Sequence, residues 1–394
     1  MNKEKGVNNY FTNVNKFEQG DRSESVDILK SQARIMGTIE QSIIPGLPDD
    51  LALRCISKLS HGYHGKLECV SKDWRDLVRC EAYSCYKARN GWSESWLFAH
   101  SNNQLVAYDP DADRWHPLPR NEAIQDGWDH SGFACVCVSS CLLVIGGCYV
   151  SSFPREEPFV VTNVVMRFDP FKKEWKMVAG MRTPRTRFAC AAVSGKVYDP
   201  VADRWEDLPA MPGPEMNCSW FGLSYKGSFH VLRAGEQIST QAFSPLEMTW
   251  STVVDIWPLP RKMNYAVQVM KDDRLYSIVT QVLGGSLIQT RDTDDEGEWY
   301  TLGSVPCGVV LPDDPREPQV LGHGFAALRD ELYVIGGRFL KLEKSGAGGF
   351  ERLSVVRVCD PLVRPLIWRE AKPMYLPAGG PITGCASLEE SSPP

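Results

Sequence analysis

The segment Tyr108-Asp109-Pro110…Trp115 contains a pattern that recurs along the chain: an aromatic residue, then Asp-Pro and a later Trp. Asp-Pro starts a tight turn, and a Trp just after the turn is large enough to fill the space between neighbouring sheets. Such internal repetition indicates stacked supersecondary units. The other copies, the last two of them weaker, are Phe168-Asp169-Pro170…Trp175, Tyr198-Asp199-Pro200…Trp205, Phe243-Ser244-Pro245…Trp250 and Cys359-Asp360-Pro361…Trp368.

Apolar runs that end in paired glycines lie between these copies, at Leu143-Val144-Ile145-Gly146-Gly147 and Leu332-Tyr333-Val334-Ile335-Gly336-Gly337. Paired glycines permit a close approach of backbones that a side chain would block. Each unit therefore reads as four short strands. Four-stranded units that contain these glycine pairs and Asp-Pro turns, spaced by about 50 residues, resemble kelch repeats, and the resemblance implies a β-propeller.

The number of blades follows from the tryptophans that open the fourth strands, which number six: Trp115, Trp175, Trp205, Trp250, Trp299 and Trp368. First strands are expected near Gly132, Phe188, Trp220, Asn264 and Gly322, which is one too few. Residues 384–388 repeat the pattern of the first strand near Gly132, so we predict that they pair beside residues 95–99. One blade would then be built from both ends of the array, which closes the ring and removes a free edge.

One blade is predicted to be truncated, because Trp175 and Trp205 are only 30 residues apart. Lys196 runs directly into Val197-Tyr198, where a second strand, a Gly-Gly pair and a loop would be expected. We predict three strands for this blade, the weakest of the ring. The predicted fold is thus mostly β, a six-bladed kelch β-propeller with one truncated blade over residues 91–388, with residues 389–394 as a tail.

The N-terminal residues have a different character. Residues 1–41 are polar without a sustained apolar face, and we expect a disordered tail. Residues 42–90 predict three short helices: the first opens at Pro48 and carries Leu47, Leu51, Cys55 and Leu59 at helical spacing. So small a helical unit buries little surface, so any apolar face left over is a candidate docking face.

Two motifs in this unit, Leu47-Pro48-Asp49-Asp50-Leu51 and Cys69-Val70-Ser71-Lys72-Asp73-Trp74, resemble those that open and close an F-box. The resemblance implies binding to the Skp1 adaptor and, through it, to the cullin of a ubiquitin ligase. The alternative is a helical cap whose apolar residues only form its core. By position in the motif, the residues implied in Skp1 contact and the small core beneath it are Leu47, Pro48, Leu51, Ile56, Leu59, Val70 and Trp74.

Catalytic and metal-binding patterns are weak. His61 and His64 are three residues apart, but Gly62 and Gly65 predict a loop there, without the further ligands of a closed metal site. Cys135 and Cys137 alternate as strand residues do, which favours buried packing. Some kelch-type propellers are copper oxidases, yet no persuasive set of Tyr, His and Cys is found. We predict a non-catalytic protein with no metal and no cofactor.

The candidate target-binding residues are Arg182, Arg185, Arg187 and Arg261, which precede predicted first strands, and Arg338, which follows Gly336-Gly337. The structural interpretation is that they pair with carboxylates or carbonyls near the central channel. The functional interpretation is that they form a partner-binding face together with four long loops, since loops on a rigid frame are where recognition usually lies. Those loops are residues 148–162, 291–298, 311–318 and 339–352.

The net charge, the length of the apolar runs and the placement of the cysteines limit which partners and which cellular compartment are expected. The 394 residues carry a formal net charge of −6, which argues against nucleic acid, and no apolar run reaches the length of about 18 residues that spans a bilayer. The 13 cysteines are irregularly placed, which favours reduced thiols in the cytoplasm or nucleus.

An F-box before a kelch propeller resembles the plant F-box/kelch-repeat family. The resemblance implies a substrate adaptor of a Skp1–cullin–F-box ubiquitin ligase, in which the propeller holds the protein to be degraded. Residues 91–97 resemble the branch that acts on phenylpropanoid and flavonoid enzymes, so chalcone synthase is an expected target. The alternatives are a kelch scaffold that binds a partner without degrading it and, less favoured, a propeller enzyme.

Overall fold

The computed structural model describes two compact units, which divide between Glu94 and Ser95. The predicted N-terminal tail, residues 390–394 of the predicted C-terminal tail and Arg261 lie outside the described residues. Glu389 was assigned to that tail, but it is the last residue of a strand and pairs with Ser95. None of the helices described is both long and apolar enough to cross a lipid bilayer. The described residues are 42–92, 94–120, 128–151, 159–193, 198–199, 202–212, 219–234, 239–253, 256, 265–269, 273–281, 285–291, 298–309, 318–342, 348–375 and 379–389.

The first unit is helical, but it has four α-helices and a 3-10 helix in its described part where three helices were predicted. Ser71 explains the extra break, because its Oγ accepts a hydrogen bond from the backbone N–H of Trp74 at 3.1 Å and so caps a new helix. Val70 lies in the loop before it. The helices are α1 (Asp49–Ser57), α2 (His64–Leu67), α3 (Lys72–Arg79) and α4 (Glu81–Arg89), and the 3-10 helix is His61–Tyr63.

The second unit contains eight antiparallel sheets in its described residues. Six of them follow the sequence repeats and are numbered here in chain order, and five of these six have four strands. Sheet 1 is β28 (Gly384–Glu389), β1 (Ser95–Ser101), β2 (Gln104–Asp109) and β3 (Arg114–Pro117); sheet 2 is β5 (Ala134–Val138), β6 (Cys141–Ile145), β9 (Val165–Asp169) and β10 (Glu174–Val178); sheet 3 is β11 (Tyr198–Asp199) and β12 (Arg204–Trp205). Sheet 4 is β13 (Ser219–Tyr225), β14 (Ser228–Ala234), β15 (Ser239–Ser244) and β16 (Thr249–Thr252); sheet 5 is β17 (Tyr265–Val269), β18 (Leu275–Thr280), β19 (Ser286–Arg291) and β20 (Trp299–Val305); sheet 6 is β22 (Gly324–Leu328), β23 (Glu331–Ile335), β26 (Val356–Cys359) and β27 (Trp368–Ala371).

Two accessory three-stranded sheets arise where long loops were predicted. The prediction of loops at residues 148–162 and 339–352 was therefore wrong, because the described parts of both segments form a two-stranded hairpin. The first strand of each hairpin pairs with a short strand that lies just before the first strand of the same numbered sheet. The first accessory sheet is β4 (Trp128–Ser131), β7 (Cys148–Ser151) and β8 (Val160–Val161); the second is β21 (Val320–Leu321), β24 (Arg338–Leu342) and β25 (Gly348–Arg352).

The six sheets close into a ring, as the repeats predicted. Strand β28 pairs with β1 in the register Leu97↔Ser387, which confirms that one sheet is built from both ends of the array. On its other side β28 packs between β5 and β22, while β22 packs on β17 and β17 on β13. Gly222 of β13 brings this strand close to the segment before sheet 3, since an added Cβ there would lie 2.8 Å from the backbone nitrogen of Cys190. Cys190 in turn packs against the core of sheet 2.

The recurrent tryptophans join each sheet to the one before it. In five of the six, the indole Nε1–H donates a hydrogen bond to a backbone carbonyl of the preceding sheet or of the segment that follows that sheet. Within the described residues Trp299 makes no such bond. The pairs are Trp115 with Lys372 (2.8 Å), Trp175 with Pro119 (2.8 Å), Trp205 with Ala179 (2.7 Å), Trp250 with Pro209 (2.8 Å) and Trp368 with Ser304 (3.0 Å).

The structure confirms the predicted tight turn at Asp109-Pro110 and the predicted close approach of backbones at the glycine pair 146–147. The Oδ1 atom of Asp109 accepts hydrogen bonds from the N–H groups of Asp111 and Ala112 at 3.0 and 3.1 Å, which fixes the tight turn. Gly147 has φ +97°, and an added Cβ would lie 2.7 Å from Nε2 of His130. The pair at 146–147 therefore allows the backbone to pass between neighbouring segments.

The truncated blade is shorter than predicted. Three strands were expected, but the described part of sheet 3 has only β11 and β12, which pair through Tyr198↔Trp205 and Asp199↔Arg204. Residues 188–193, where a first strand was predicted, have no strand conformation. A strand there would need a neighbour to complete its hydrogen bonds, and the short interval between Trp175 and Trp205 leaves little chain to supply one.

Candidate functional site

The helical unit has a compact core that leaves several of its apolar residues at the surface. The side chains of Ala52, Leu53, Val78 and Tyr83 are fully buried at the centre of this core. Ile56 is only 2% exposed, so among the residues implied in Skp1 contact it belongs to the core beneath the surface. The helices thus form a small packed core, and the other residues implied in Skp1 contact lie around it.

Three of the candidates are strongly exposed apolar side chains. Leu51 is 45% exposed, Leu59 40% and Val70 61%, and Pro48 also lies at the surface before α1. Such exposure of apolar side chains in so small a unit is unfavourable in water and favours a covering partner. Leu47 is half-buried against the core.

A cleft of about 240 Å³ lies beside Val70 and is lined by Ile43, Pro45 and Trp74 among others. The indole Nε1–H of Trp74 donates to the backbone carbonyl of Ile43 at 2.8 Å, which fixes the ring at the cleft wall. The closing motif of the predicted F-box therefore shapes this cleft: Val70 presents its side chain, and Ser71 and Trp74 hold the local backbone.

A buried ionic network in the helical unit was not predicted. Lys87 is 1% exposed, and its Nζ contacts Oε1 of Glu94 at 2.5 Å and donates to the carbonyl of Leu59 at 2.8 Å. Glu94 also accepts hydrogen bonds from the backbone N–H of His61, at 3.0 and 2.9 Å. Burial raises the pKa of Glu94, but the hydrogen bonds and positive charge of His61 and Lys87 more than offset it and hold this pKa well below its usual range.

This network corrects the interpretation of the two histidines. His61 and His64 were placed in a loop, but they lie in the 3-10 helix and in α2, almost fully buried with ring centroids 4.4 Å apart. The signal that could have found the network is Lys87, which follows Tyr83 and Tyr86 on the apolar side of its helix. A charge at such a position needs a buried partner.

The described candidate arginines lie at one end of the ring, which we call the Gly-Gly end because it carries the pairs at 146–147 and 336–337. The carbonyl of Arg185 accepts a hydrogen bond from Gly147 N–H at 2.8 Å, and Arg187 N–H donates to Gly132 at 2.7 Å. Arg338 directly follows the second glycine pair. The side chains of all three are exposed.

Arg182 follows the structural interpretation, since its guanidinium forms an exposed ion pair with the carboxylate of Asp207. Such exposed pairs contribute little to stability, about 0–1 kcal/mol. For Arg185, Arg187 and Arg338 the described residues supply no carboxylate within ion-pair distance, so their charges are available to a partner.

The described residues give little support for catalysis. They contain no group of three His, Cys, Asp or Glu side chains arranged to hold a metal ion. A cavity beside His323 and Arg357 has a volume of about 10 Å³, enough for roughly one water molecule. Burial raises the pKa of the Cys135 thiol well above its usual value, so this thiol stays protonated and unreactive.

Comparisons with known proteins agree with this geometry. Residues 44–81 match the F-box domain family, and an F-box domain implies Skp1 binding. F-box/kelch-repeat protein At1g16250 of Arabidopsis thaliana is 68% identical over 390 residues, which cover 91% of this chain and 100% of that protein. F-box/kelch-repeat protein SKIP30 of the same plant is 25% identical over 375 residues, which cover 88% and 97%. The solved structure of YjhT is 13% identical, with a TM-score of 0.33 over 72% of this chain and 82% of that one. This chain belongs to the F-box/kelch-repeat family of non-catalytic adaptors.

Proposed function

We propose that the chain recruits target proteins to a Skp1–cullin–F-box ubiquitin ligase. The helical unit binds Skp1, the ring binds the target, and ubiquitin is transferred by other subunits. Holding target lysines near the charged conjugating enzyme raises their effective concentration, which is the whole contribution of such an adaptor. The observation that carries the proposal is the set of exposed apolar residues Leu51, Leu59 and Val70 on an F-box.

The test measures binding of a purified Skp1-like adaptor to the full chain by titration calorimetry. Leu51→Ala and Val70→Ser should each weaken binding by about tenfold or more, because burying one such side chain in an interface contributes about 1.5–3 kcal/mol. Neither change should unfold the protein, since both side chains are exposed. Met177→Ala is the matched control: Met177 is 60% exposed on the outer strand of sheet 2 and should be neutral.

Degradation and scaffolding are separated by the fate of the partner in cells. With the proteasome blocked, affinity capture on the full chain should recover Skp1 and a target, and a chain lacking residues 42–90 should recover the target alone. The abundance of the captured target should rise when the Leu51→Ala chain replaces the wild type. An unchanged abundance would identify a scaffold that binds without degrading.

For the target we propose an enzyme of phenylpropanoid or flavonoid synthesis, with chalcone synthase tested first. The support is the resemblance of residues 91–97 to that branch of the family. Trp92 packs against Tyr86 of the helical unit at 5.9 Å, and Trp96 is buried in the ring, so neither is offered for target contact. Direct binding of purified chalcone synthase to the full chain tests the proposal, and no binding at micromolar concentrations would reject this enzyme.

We further propose that the protein acts in the cytoplasm or nucleus. The twelve cysteines described by the structure are free thiols, the state that reducing compartments maintain. A fluorescent fusion observed in living cells tests this, and accumulation in the secretory pathway would contradict it.

A further inference from the structure

One face of the second accessory sheet combines two arginines with two apolar side chains. In the hairpin β24–β25, Arg338 lies directly opposite Arg352, and Leu340 lies directly opposite Phe350. Because side chains alternate between faces along a strand, all four project from the same face. All are exposed, with Leu340 at 47% and Phe350 at 54%.

The charges on this face are unbalanced. Like charges directly opposite each other destabilise a strand pair. Neither Arg338 nor Arg352 has a carboxylate partner among the described residues. On the opposite face of the same hairpin, Lys341 and Glu351 form an ion pair at 3.0 Å, so the chain neutralises the charges on one face only.

The guanidinium of Arg338 is held in place without being neutralised. Its Cζ lies 4.4 Å from the centroid of the Phe350 ring, a cation–π contact that positions the guanidinium and leaves its charge in place. The stem of Arg352 passes Gly380, where an added Cβ would lie 3.2 Å from Cδ. Two sets of donors are thus presented beside an apolar pair.

The base of the hairpin is rigidly anchored. Phe339, which points to the face opposite the arginines, is 2% exposed and packs with Cys307 and Val320. The four exposed side chains therefore sit on a preformed platform at the Gly-Gly end, and little conformational entropy is lost when a ligand binds to such a platform.

We propose that this face binds a segment of the target protein in which an Asp or Glu side chain stands next to a large apolar one. The carboxylate lies between Arg338 and Arg352 and accepts charge-assisted hydrogen bonds from both. The apolar side chain covers Leu340 and Phe350. The inference rests on the proposed function, because the occupant is the protein to be ubiquitinated.

An acidic peptide fits this face better than a bare anion or a nucleic acid. A phosphate or a nucleic-acid backbone would satisfy the two arginines but would leave the apolar pair uncovered. A segment with adjacent acidic and apolar side chains satisfies both halves, and such paired anchors give an interface its specificity.

The experiment selects binders from a random twelve-residue peptide display library on the purified full chain. Affinities of the selected peptides are then measured by fluorescence anisotropy for the wild type and for Arg338→Gln, Arg352→Glu and Leu340→Ser. Lys341→Gln is the matched control, since Lys341 lies on the same strand but faces the other way. Skp1 binding is measured on every preparation.

Selected peptides should be enriched in Asp or Glu beside Leu, Ile, Phe or Trp. Their dissociation constants should rise at least tenfold for each of the three face variants, most of all for Arg352→Glu, and stay within twofold for Lys341→Gln. A library that yields no binder, binders without acidic enrichment, or equal affinity for Arg352→Glu would overturn the proposal. Retained Skp1 binding in those cases would show that the adaptor function stands while this docking site does not.

Discussion

Replacing Glu94 with Gln removes the carboxylate that neutralises Lys87, which is 1% exposed. Removing one partner of a buried ion pair costs about 3–5 kcal/mol, because the other charge is left buried. A helical unit of this size has a total stability of only about 2–8 kcal/mol at the usual 0.05–0.15 kcal/mol per residue. We therefore expect Glu94→Gln to remove most of the stability of the helical unit and to leave the ring folded.

Hydrogen exchange of the full chain, followed by mass spectrometry, measures the stability of the helical unit and of the ring separately. Peptides from α1 and α4 should exchange at least about 100-fold faster in Glu94→Gln, since every 1.4 kcal/mol is tenfold. Peptides from β1, β6 and β23 should not change. Asp76→Asn is the control, because Asp76 pairs with Arg75 at the surface, where their side chains are 74% and 44% exposed, and the loss should stay below about 1 kcal/mol. Exchange of the helical peptides within fivefold of the wild type would refute the reasoning.

Three further changes test the ring. Trp175→Phe removes the hydrogen bond to Pro119 and should lower the free energy of unfolding in urea by about 1 kcal/mol or more, whereas an unchanged midpoint would show that neither this bond nor the larger ring stabilises the protein. Gly147→Ala should lower the free energy of unfolding by more than about 2 kcal/mol, because the new Cβ would clash with neighbouring atoms. Gly227 also has positive φ but no atom within 4 Å of an added Cβ, so Gly227→Ala should lower it by only about 1 kcal/mol. Equal losses in the two variants would contradict the argument from contacts. Burial lowers the pKa of His230 to about 4 from about 6.5 in the unfolded chain, so the unfolded state binds more protons between these pH values and the free energy of unfolding should fall as the pH drops from 6.5 to 4. In urea titrations at pH 7, 5.5 and 4.5, His230→Gln should reduce this dependence on pH. An unaltered dependence would assign it to other groups.

The repeats made the ring predictable because they encode local physical requirements. The turn at Asp109, the close approach at Gly147 and the inter-sheet bond of Trp175 each depend on a residue type that few others can replace. Pairing of β28 with β1 followed from the count of first strands. The two accessory sheets could not be predicted, because their strands are short and pair only within the context of the ring.

The candidate sites were predictable in composition but not in grouping. Leu51 and Val70 were identified by motif, and the structure adds that they are exposed, which sequence periodicity alone does not decide. Arg338 was among the candidate arginines, whereas Arg352 was missed, because cross-strand register depends on the length of the intervening hairpin. The Lys87–Glu94 contact joins the last helix to the end of the unit; the position of Lys87 beside Tyr83 indicates a buried charge, but nothing in the sequence identifies Glu94 as its partner.

The pairing of the last described strand with the first has a consequence for biosynthesis. Until residues 384–389 leave the ribosome, β1 has no paired strand on one side, and the first sheet lacks the strand that packs against the sixth sheet. The nascent chain must hold five sheets in an open arc, whose uncovered strand invites pairing with another polypeptide. A premature stop codon before residue 384 would therefore remove the strand that completes the first sheet and closes the ring, whereas a short deletion in an outer turn would be tolerated.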